Sequence, residues 1–467
     1  MIDWFLHTLR LFMRFKRGIT SCRTTNSKNQ ILLFRRIRFT LLFIFSIYCM
    51  LSFHLLIHSI HSIFYNKRIN IIMKTSFHET TVNALNNISV TELSGEYEQT
   101  IPLVTINKTV YKYDVEQLYF ALTTNTKRIL KTIHFLKFWA TLPGIKCLIV
   151  FEKEDFLKNR NITELLMREG IPCRIIVSNV KYYEKRYLQL FHYAWKSQNM
   201  NESNAIQWFA VGDDDTIWFI DNLLDTLRQY NSSQNIYLGN ISDRKRQVNY
   251  HGSFFAYGGG GILLSRPLTL SYSKHIHKSN YFVNTKAYGG DGMIGKYIAE
   301  IFKVNLTRNI HFLQMDHSGD MTGYLESGID GFVSFHHMYS LWQPFPNNFK
   351  NDIKKTMHIL KIGYNTFERN FLKRYVRFNR KLNQTFLLTL GYSFSIFNRI
   401  LSITELDQVE NTWHGTEMTS RISRPNEPNK ITWYFRNVTY EMFHGSKLLQ
   451  AIYQNKQFQT INMLFVN

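Results

Sequence analysis

Between Val115 and Val211 short apolar runs alternate with stretches of helical spacing, and that alternation constrains the chain more than any other feature. VEQLYFALTT is followed by a stretch over 126–139 in which Ile129, Leu130, Ile133, Leu136 and Phe138 recur near a 3.6-residue period. KCLIVFE, a helical segment near 164–169 and PCRIIVSN repeat the pattern. A further helical stretch over 182–197 leads to IQWFAVG. Strands that are apolar along their whole length must be covered on both faces, so the pattern predicts an α/β domain with a mainly parallel sheet. Ligands of such sheets bind beyond the carboxyl ends of the strands. The residues that follow each strand are therefore the first candidates for chemistry.

The run IQWFAVG ends in Asp213, Asp214 and Asp215. Three adjacent carboxylates repel one another, and at the end of a buried strand they need a cation or hydrogen-bond donors. An Asp-x-Asp pair suits Mg2+ or Mn2+, which take oxygen ligands and leave positions open for a diphosphate. A solvated loop is the plain alternative. Asp221 reads as the N-cap of a helix over 222–230. Downstream, YGGGGILLS (257–265) offers backbone that can approach a ligand closely or make a tight turn before a core strand. It fits neither the dinucleotide G-x-G-x-x-G nor the P-loop, which needs a Lys. Asp291, in YGGDGMIGKYIAEIF, can serve as an N-cap or as a base that accepts a proton from a substrate hydroxyl. His336 and His337 follow the short run GFVSF, where one of them could complete a metal site or simply be structural.

Charge bears on topology. The chain has 467 residues and a formal net charge of +22. That balance alone suggests an anionic partner such as nucleic acid. Residues 1–38, however, hold nine Lys and Arg against one acid, and the rest of the excess is diffuse, so a nucleic-acid partner is not expected. From Phe39 to Asn66 there is no charged residue and Leu, Ile and Phe dominate, which predicts a transmembrane signal anchor over 39–64. A cleaved signal peptide has a shorter apolar core and a small-residue cleavage site. The basic flank places residues 1–38 in the cytosol and the body in the lumen. Nine Asn-x-Ser/Thr sequons all follow the anchor, which supports that orientation modestly. Cys147 and Cys173 each open an apolar run. They are expected either to pair in an oxidising compartment or to remain two buried thiols. Residues 65–112 read as a polar stem, 113–340 as the catalytic domain, and 341–467 as an α+β appendage with a helix over 352–362 and strand-like runs QTFLLTLGYSFSIF and ITWYFRNVTYEMF.

In order along the chain, FALTTNTKRILKTIHFLKFW, WFAVGDDDTIWFIDNLLDTL, YLGN, AYGGGGILLSRPL, GGDGMIGKYIAE, FLQMDHSGDMTG, VSFHHM and TLGYSFSIFNRILSITELDQVENTW resemble the fringe-like branch of glycosyltransferase family 31. Its plant and fungal members, known only as a domain of unknown function, are the most similar. The resemblance implies a type II Golgi (or ER) membrane protein with a GT-A fold. It also implies an inverting transferase that uses Mn2+ (or Mg2+) and moves a hexose or N-acetylhexosamine from a UDP-sugar to a glycan or glycoprotein. Galactose or N-acetylglucosamine in β-1,3 linkage is the expected product. Carried over by position, Asp213 and Asp215 fall on the metal and diphosphate site, with Asp214 beside them in the nucleotide site. Thr123 and Thr124 fall on a nucleotide-binding segment, Gly259 and Gly260 lie near the donor sugar, and Asp291 takes the place of the general base. Two departures stand out. Gly290 replaces an acid or Ser before the base, and Leu313 replaces a His. SFHH resembles a metal-binding SFHY segment of the branch that builds the mucin-type core, which favours His336 as ligand over His311 and His337. A catalytically silent glycan-binding or scaffold protein on the same fold is the competing expectation. A metal phosphohydrolase is the least expected class.

Overall fold

The computed structural model describes residues 69–74, 113–159, 161–198, 206–276, 289–329, 331–338, 341–346, 352–414, 422–443 and 446–466. The expected cytosolic tail and membrane anchor lie outside the described residues, as does the expected stem except for 69–74. Among the described residues no helix is long and apolar enough to cross a membrane. Residues 68–467 form one compact unit.

Seven strands build the first sheet: β1 (Leu118–Thr123), β2 (Lys146–Glu152), β3 (Arg174–Ser178), β4 (Trp208–Val211), β5 (Tyr237–Gly239), β6 (Ile262–Ser265) and β7 (Leu306–Arg308). Their spatial order is β3-β2-β1-β4-β6-β5-β7. Pairing is parallel from β3 through β4 and between β5 and β7. Only β6 runs against its neighbours. The expected mainly parallel α/β sheet is present, with this one reversal. β6 leaves the glycine run and returns along β4, so the glycines lie at the same end of the sheet as the acids that follow β4. Register shows this directly, because Val211 pairs with Ile262.

Both faces of the sheet are buried. On β1, Phe120 and Leu122 join one core cluster while Tyr119 and Ala121 join another, as a period of two requires. The helix Thr126–Trp139 begins at Asn125, whose side chain accepts from the Arg128 N–H, and buries Ile129, Ile133, Leu136 and Trp139. Leu130, counted on that apolar face from its spacing, is instead 56% exposed. The question left open for the cysteines is settled: Cys147 and Cys173 form a disulfide across the starts of β2 and β3.

Helix boundaries differ at two acids. The helix after the acidic triplet spans Ile220–Leu227 with Phe219 at its cap, so Asp221 is a first-turn residue and not the N-cap. Its carboxylate accepts from the Tyr364 hydroxyl at 3.0 Å. Asp291 is likewise inside the first turn of the helix Gly290–Tyr297, with Gly289 as cap.

The second sheet takes strands Arg374–Asn379, Gln384–Thr389, Ser393–Phe397, Ile431–Phe443, Ser446–Gln454 and Thr460–Val466, all antiparallel, with Ile69–Lys74 added in parallel at one edge. The helix Ile353–Phe367 links this sheet to the first layer. Its Phe367 ring meets Phe435 and Phe465, while Tyr364 stacks on Phe138 of the helix Thr126–Trp139. One core cluster consequently runs through both halves, from Phe120 to Phe465. A buried ion cluster reinforces the junction: Lys430 bridges Glu326 and Glu410, and Arg424 adds a second contact to Glu410 at 3.1 Å.

Candidate active site

The acids after β4 are positioned by their own loop. Thr216 Oγ1 accepts from the Asp213 N–H at 2.9 Å and donates to the Gly259 carbonyl at 2.9 Å, which ties the acidic turn to the glycine run. Just beyond, Ile217–Trp218 pairs antiparallel with Ser334–Phe335. That short ladder brings the residue after Phe335 back over the acids. His336 Nε2 stands 3.4 Å from Asp213 Oδ2 and 3.2 Å from Asp215 Oδ1.

The other ring nitrogen decides what His336 can do. Its Nδ1 lies 3.1 Å from the Gln314 carbonyl, which can only accept, so Nδ1 carries a proton. A neutral ring then points the Nε2 lone pair at the two carboxylates. Asp215 and His336 are buried, and Asp213 keeps 26% of its side chain exposed. Burial alone would lower the imidazole pKa, but the carboxylates of Asp215 and Asp213 raise it well above its ordinary value. Burial would raise Asp215, and the His336 cation overrides it, holding that carboxyl below the usual range. A proton on Nε2 thus occupies the place where positive charge is needed. Two carboxylates and one imidazole with its far nitrogen fixed by a carbonyl form a donor set that fits a divalent cation, Mn2+ better than Mg2+ because of the nitrogen. Asp215, His336 and His337 also offer ligand atoms that all lie within 4.8 Å of one another. His337 is turned aside in the left-handed region (φ 58°) and sits 3.2 Å from Asp316. His311 is outside this group, its ring lying beside Gly331.

Asp214 points the other way. It accepts from the Thr124 hydroxyl and from Arg128 Nε at 2.6 Å, while Arg128 Nη2 reaches Asp215 at 3.0 Å. Burial pushes Asp214 up to about 6 in spite of these donors. Thr123 is tied inward, its hydroxyl donating to the Val150 carbonyl at 2.9 Å and accepting from Arg186 at 3.2 Å. Of the two threonines, Thr124 therefore reaches the acids and Thr123 braces the sheet.

Asp291 stands across the glycine run. Its two oxygens accept from the N–H groups of Gly258 at 2.9 Å and Gly292 at 2.8 Å. Burial is the main cause of its raised pKa, with the Asp213 charge adding to it and the backbone donors opposing. The glycines are needed for packing by side chains of the site. A Cβ on Gly259 would sit 2.1 Å from the His336 ring, and one on Gly258 would meet the Tyr187 hydroxyl at 2.3 Å. Gly260 donates its N–H to Gln314 Oε1 at 2.8 Å. The departure at Gly290 has the same physical origin, because a Cβ there would lie 2.6 Å from Tyr187 Cβ. Leu313, the other departure, is buried in the core.

The sequence reading missed Arg128, Tyr183 and Tyr187. Tyr183 donates to Asp213 at 3.3 Å and its ring lies 6.0 Å from that of Tyr187, which wedges between Gly258 and Gly290. Arg128 sits in the same TTNTKR segment as Thr124, and a cation there, opposite three acids, was the available signal. The two tyrosines lie in the helical stretch over 182–197, which holds no motif, so their sequence carried none.

An α/β sheet with three acids and an imidazole at one strand end, and a fourth acid across a glycine run, offers oxygen and nitrogen donors of the kind a divalent cation takes. Comparison with known proteins narrows the class. Residues 247–442 match the family model described as "Protein of unknown function, DUF604". The chain is 36% identical over 85 residues to glycoprotein-N-acetylgalactosamine 3-beta-galactosyltransferase 1 of Xenopus laevis, covering 18% of this chain and 21% of that protein. It is 26% identical over 170 residues to beta-1,3-N-acetylglucosaminyltransferase lunatic fringe of Danio rerio, covering 33% and 39%. The matches thus span well under half the length of these curated relatives. Among solved structures, the glycosyltransferase GlyE of Streptococcus pneumoniae TIGR4 aligns over 41% of this chain and 45% of that one, at 13% identity and a TM-score of 0.27. The resemblance to fringe-like transferases with a DUF604 segment is borne out, and the relatives of this chain are glycosyltransferases.

Proposed function

We propose that the protein is an inverting, metal-dependent glycosyltransferase of the GT-A type that moves a sugar from a UDP-sugar to a glycan or glycoprotein hydroxyl. The observation that carries this reading is the pair of opposed centres: Asp213, Asp215 and His336 on one side of the glycine run, and Asp291 on the other. Asp213, Asp215 and His336 would hold Mn2+, which supplies Lewis-acid stabilisation of charge on a departing diphosphate. Arg128, half exposed and paired with Asp214 and Asp215, adds a fixed positive charge beside the same carboxylates. Thr124 and Asp214, buried and bonded to each other, would border the nucleotide, with the Asp214 carboxylate kept in place by Arg128.

Asp291 does the proton chemistry. Its raised pKa makes it a better proton acceptor than an ordinary carboxylate, and its two backbone donors fix its direction. The acceptor hydroxyl loses its proton to Asp291 as its oxygen attacks the anomeric carbon from the face opposite UDP, which inverts that carbon. Galactose or N-acetylglucosamine in β-1,3 linkage is the favoured product, because the two relatives reported above carry those activities in their names. A Golgi lumen location behind an anchor at 39–64 belongs to the same proposal and rests on the apolar run and its basic flank. UDP released by the full chain from a panel of UDP-sugars, with Mn2+ and with chelator, tests the reading. Mn2+-dependent release is expected with at least one donor.

A further inference from the structure

The segment between β5 and the glycine run carries an exposed helix that is nonetheless well tethered. Its helix, Lys245–His251, buries none of its residues. Short helices are marginal in water unless a face is packed, so this one depends on its tethers. The Arg244 N–H donates to Ser242 Oγ at 3.0 Å, and the Tyr257 hydroxyl donates to the Gln247 carbonyl at 3.1 Å. Val248 rests on a small cluster of Ile241, Phe255 and Tyr257, separate from the main cores. Tyr257 is followed directly by Gly258, whose N–H binds Asp291, and Phe255 presses on Gly295 of the helix that carries Asp291. The helix is therefore fastened to the wall of the base.

What it presents is specific. Tyr250 is 83% exposed, with His251 edge-on at 4.7 Å, and Phe254, shortly after the helix, is also exposed. Arg244 and Arg246 are exposed at the start of the same helix. Between Asp243 and Asp291 the sequence holds seven Lys and Arg and no Asp or Glu. An open aromatic face suits the apolar face of a sugar ring, and guanidinium groups suit a carboxylate or sulfate in a fork geometry. We propose that Arg244, Arg246, Tyr250 and Phe254 form an acceptor subsite for an anionic glycan, whose sugar stacks on Tyr250 while its acidic group pairs with the arginines. This rests on the glycosyltransferase reading, because the subsite is assigned to the acceptor by its continuity with Asp291. Exposed aromatics and cations also suit an anionic lipid surface, and the test below separates the two.

The test is binding of size-matched oligosaccharides to the full chain without donor: one neutral, one bearing uronate carboxylates and one bearing sulfates. Loss of one charge-assisted pair amounts to about tenfold in affinity. Wild type should bind at least one acidic oligosaccharide about tenfold more tightly than the neutral one, and the carboxylate and sulfate arms identify which anion is read. Arg244→Gln with Arg246→Gln should remove that preference, and Tyr250→Ala should weaken acidic and neutral ligands alike. Mn2+-dependent UDP binding and the melting temperature should stay unchanged in all of them. No acidic preference in wild type, unchanged binding in the variants, or binding to anionic-lipid vesicles in place of oligosaccharides would overturn the proposal. Failure of wild type to bind UDP with Mn2+ would sink the transferase reading instead, and this assay scores the two separately.

Discussion

Asp291 accepts two backbone N–H groups and is pushed up by burial, so it is a strong proton acceptor held in one direction. Asp291→Asn keeps the shape and removes the base. Turnover should fall about 10²- to 10⁴-fold, the usual worth of a positioned base, while UDP binding persists. Because burial raises its pKa, Asp291 takes up its proton at a higher pH than an ordinary carboxylate does. Activity should therefore be lost, as pH falls, above the ordinary aspartate value of about 4, and the acid limb of kcat/KM against pH reads that out. Gly259 yields a second residue-level prediction. An added methyl must displace the His336 ring, so Gly259→Ala should weaken Mn2+-dependent UDP binding by about 10- to 100-fold, the range for disturbing a ligand's support. Unchanged UDP affinity in calorimetry would separate His336 from the metal.

Among elements, the alternating strands and helices of the first sheet were legible because apolar runs of four to seven residues bounded by turns leave few alternatives. The acidic triplet was legible for the same reason, since charge at the end of such a run demands a partner. Reversal of β6 was not, because direction within a sheet follows from the path of the connection and leaves no mark on a four-residue apolar strand. His336 and His337 stood out as a pair at a strand end, and the resemblance to a metal-binding segment chose His336; its placement depends on the ladder between Ile217–Trp218 and Ser334–Phe335, two residues each. Asp320, at the entrance of the helix Thr322–Glu326, carries a stability prediction. Burial raises its pKa to about 6, against hydrogen bonds from Thr322. Unfolded, it would titrate near 4, so between about 4 and 6 the folded chain holds a proton that the unfolded chain has released. Its contribution is present below the lower value and lost as pH rises through the upper one, by roughly 1–3 kcal/mol. Urea melts at both ends of that window should show wild type losing this amount of stability from the lower pH to the higher, and Asp320→Asn losing none of it.

For the whole molecule, two sheets share one core and meet at a buried ion cluster, so the second block should melt with the first. Lys430→Met would leave Glu326 and Glu410 buried without their cation and should cost about 3–5 kcal/mol. A single, lower thermal transition is expected; two separate transitions would mean that the second sheet folds on its own. Ile431–Phe443 could be read as a strand from its alternation, but its pairing with Ser393–Phe397 could not, because no local pattern names a strand that far back in the chain. The central claim is that the opposed acids make a sugar transferase. UDP release from UDP-sugars by the full chain, with Mn2+ and a glycan acceptor, compared between wild type and Asp291→Asn, tests it most directly. Metal-dependent release by wild type and its collapse in Asp291→Asn is the predicted result. Release that ignores the metal, or that survives Asp291→Asn undiminished, would contradict it.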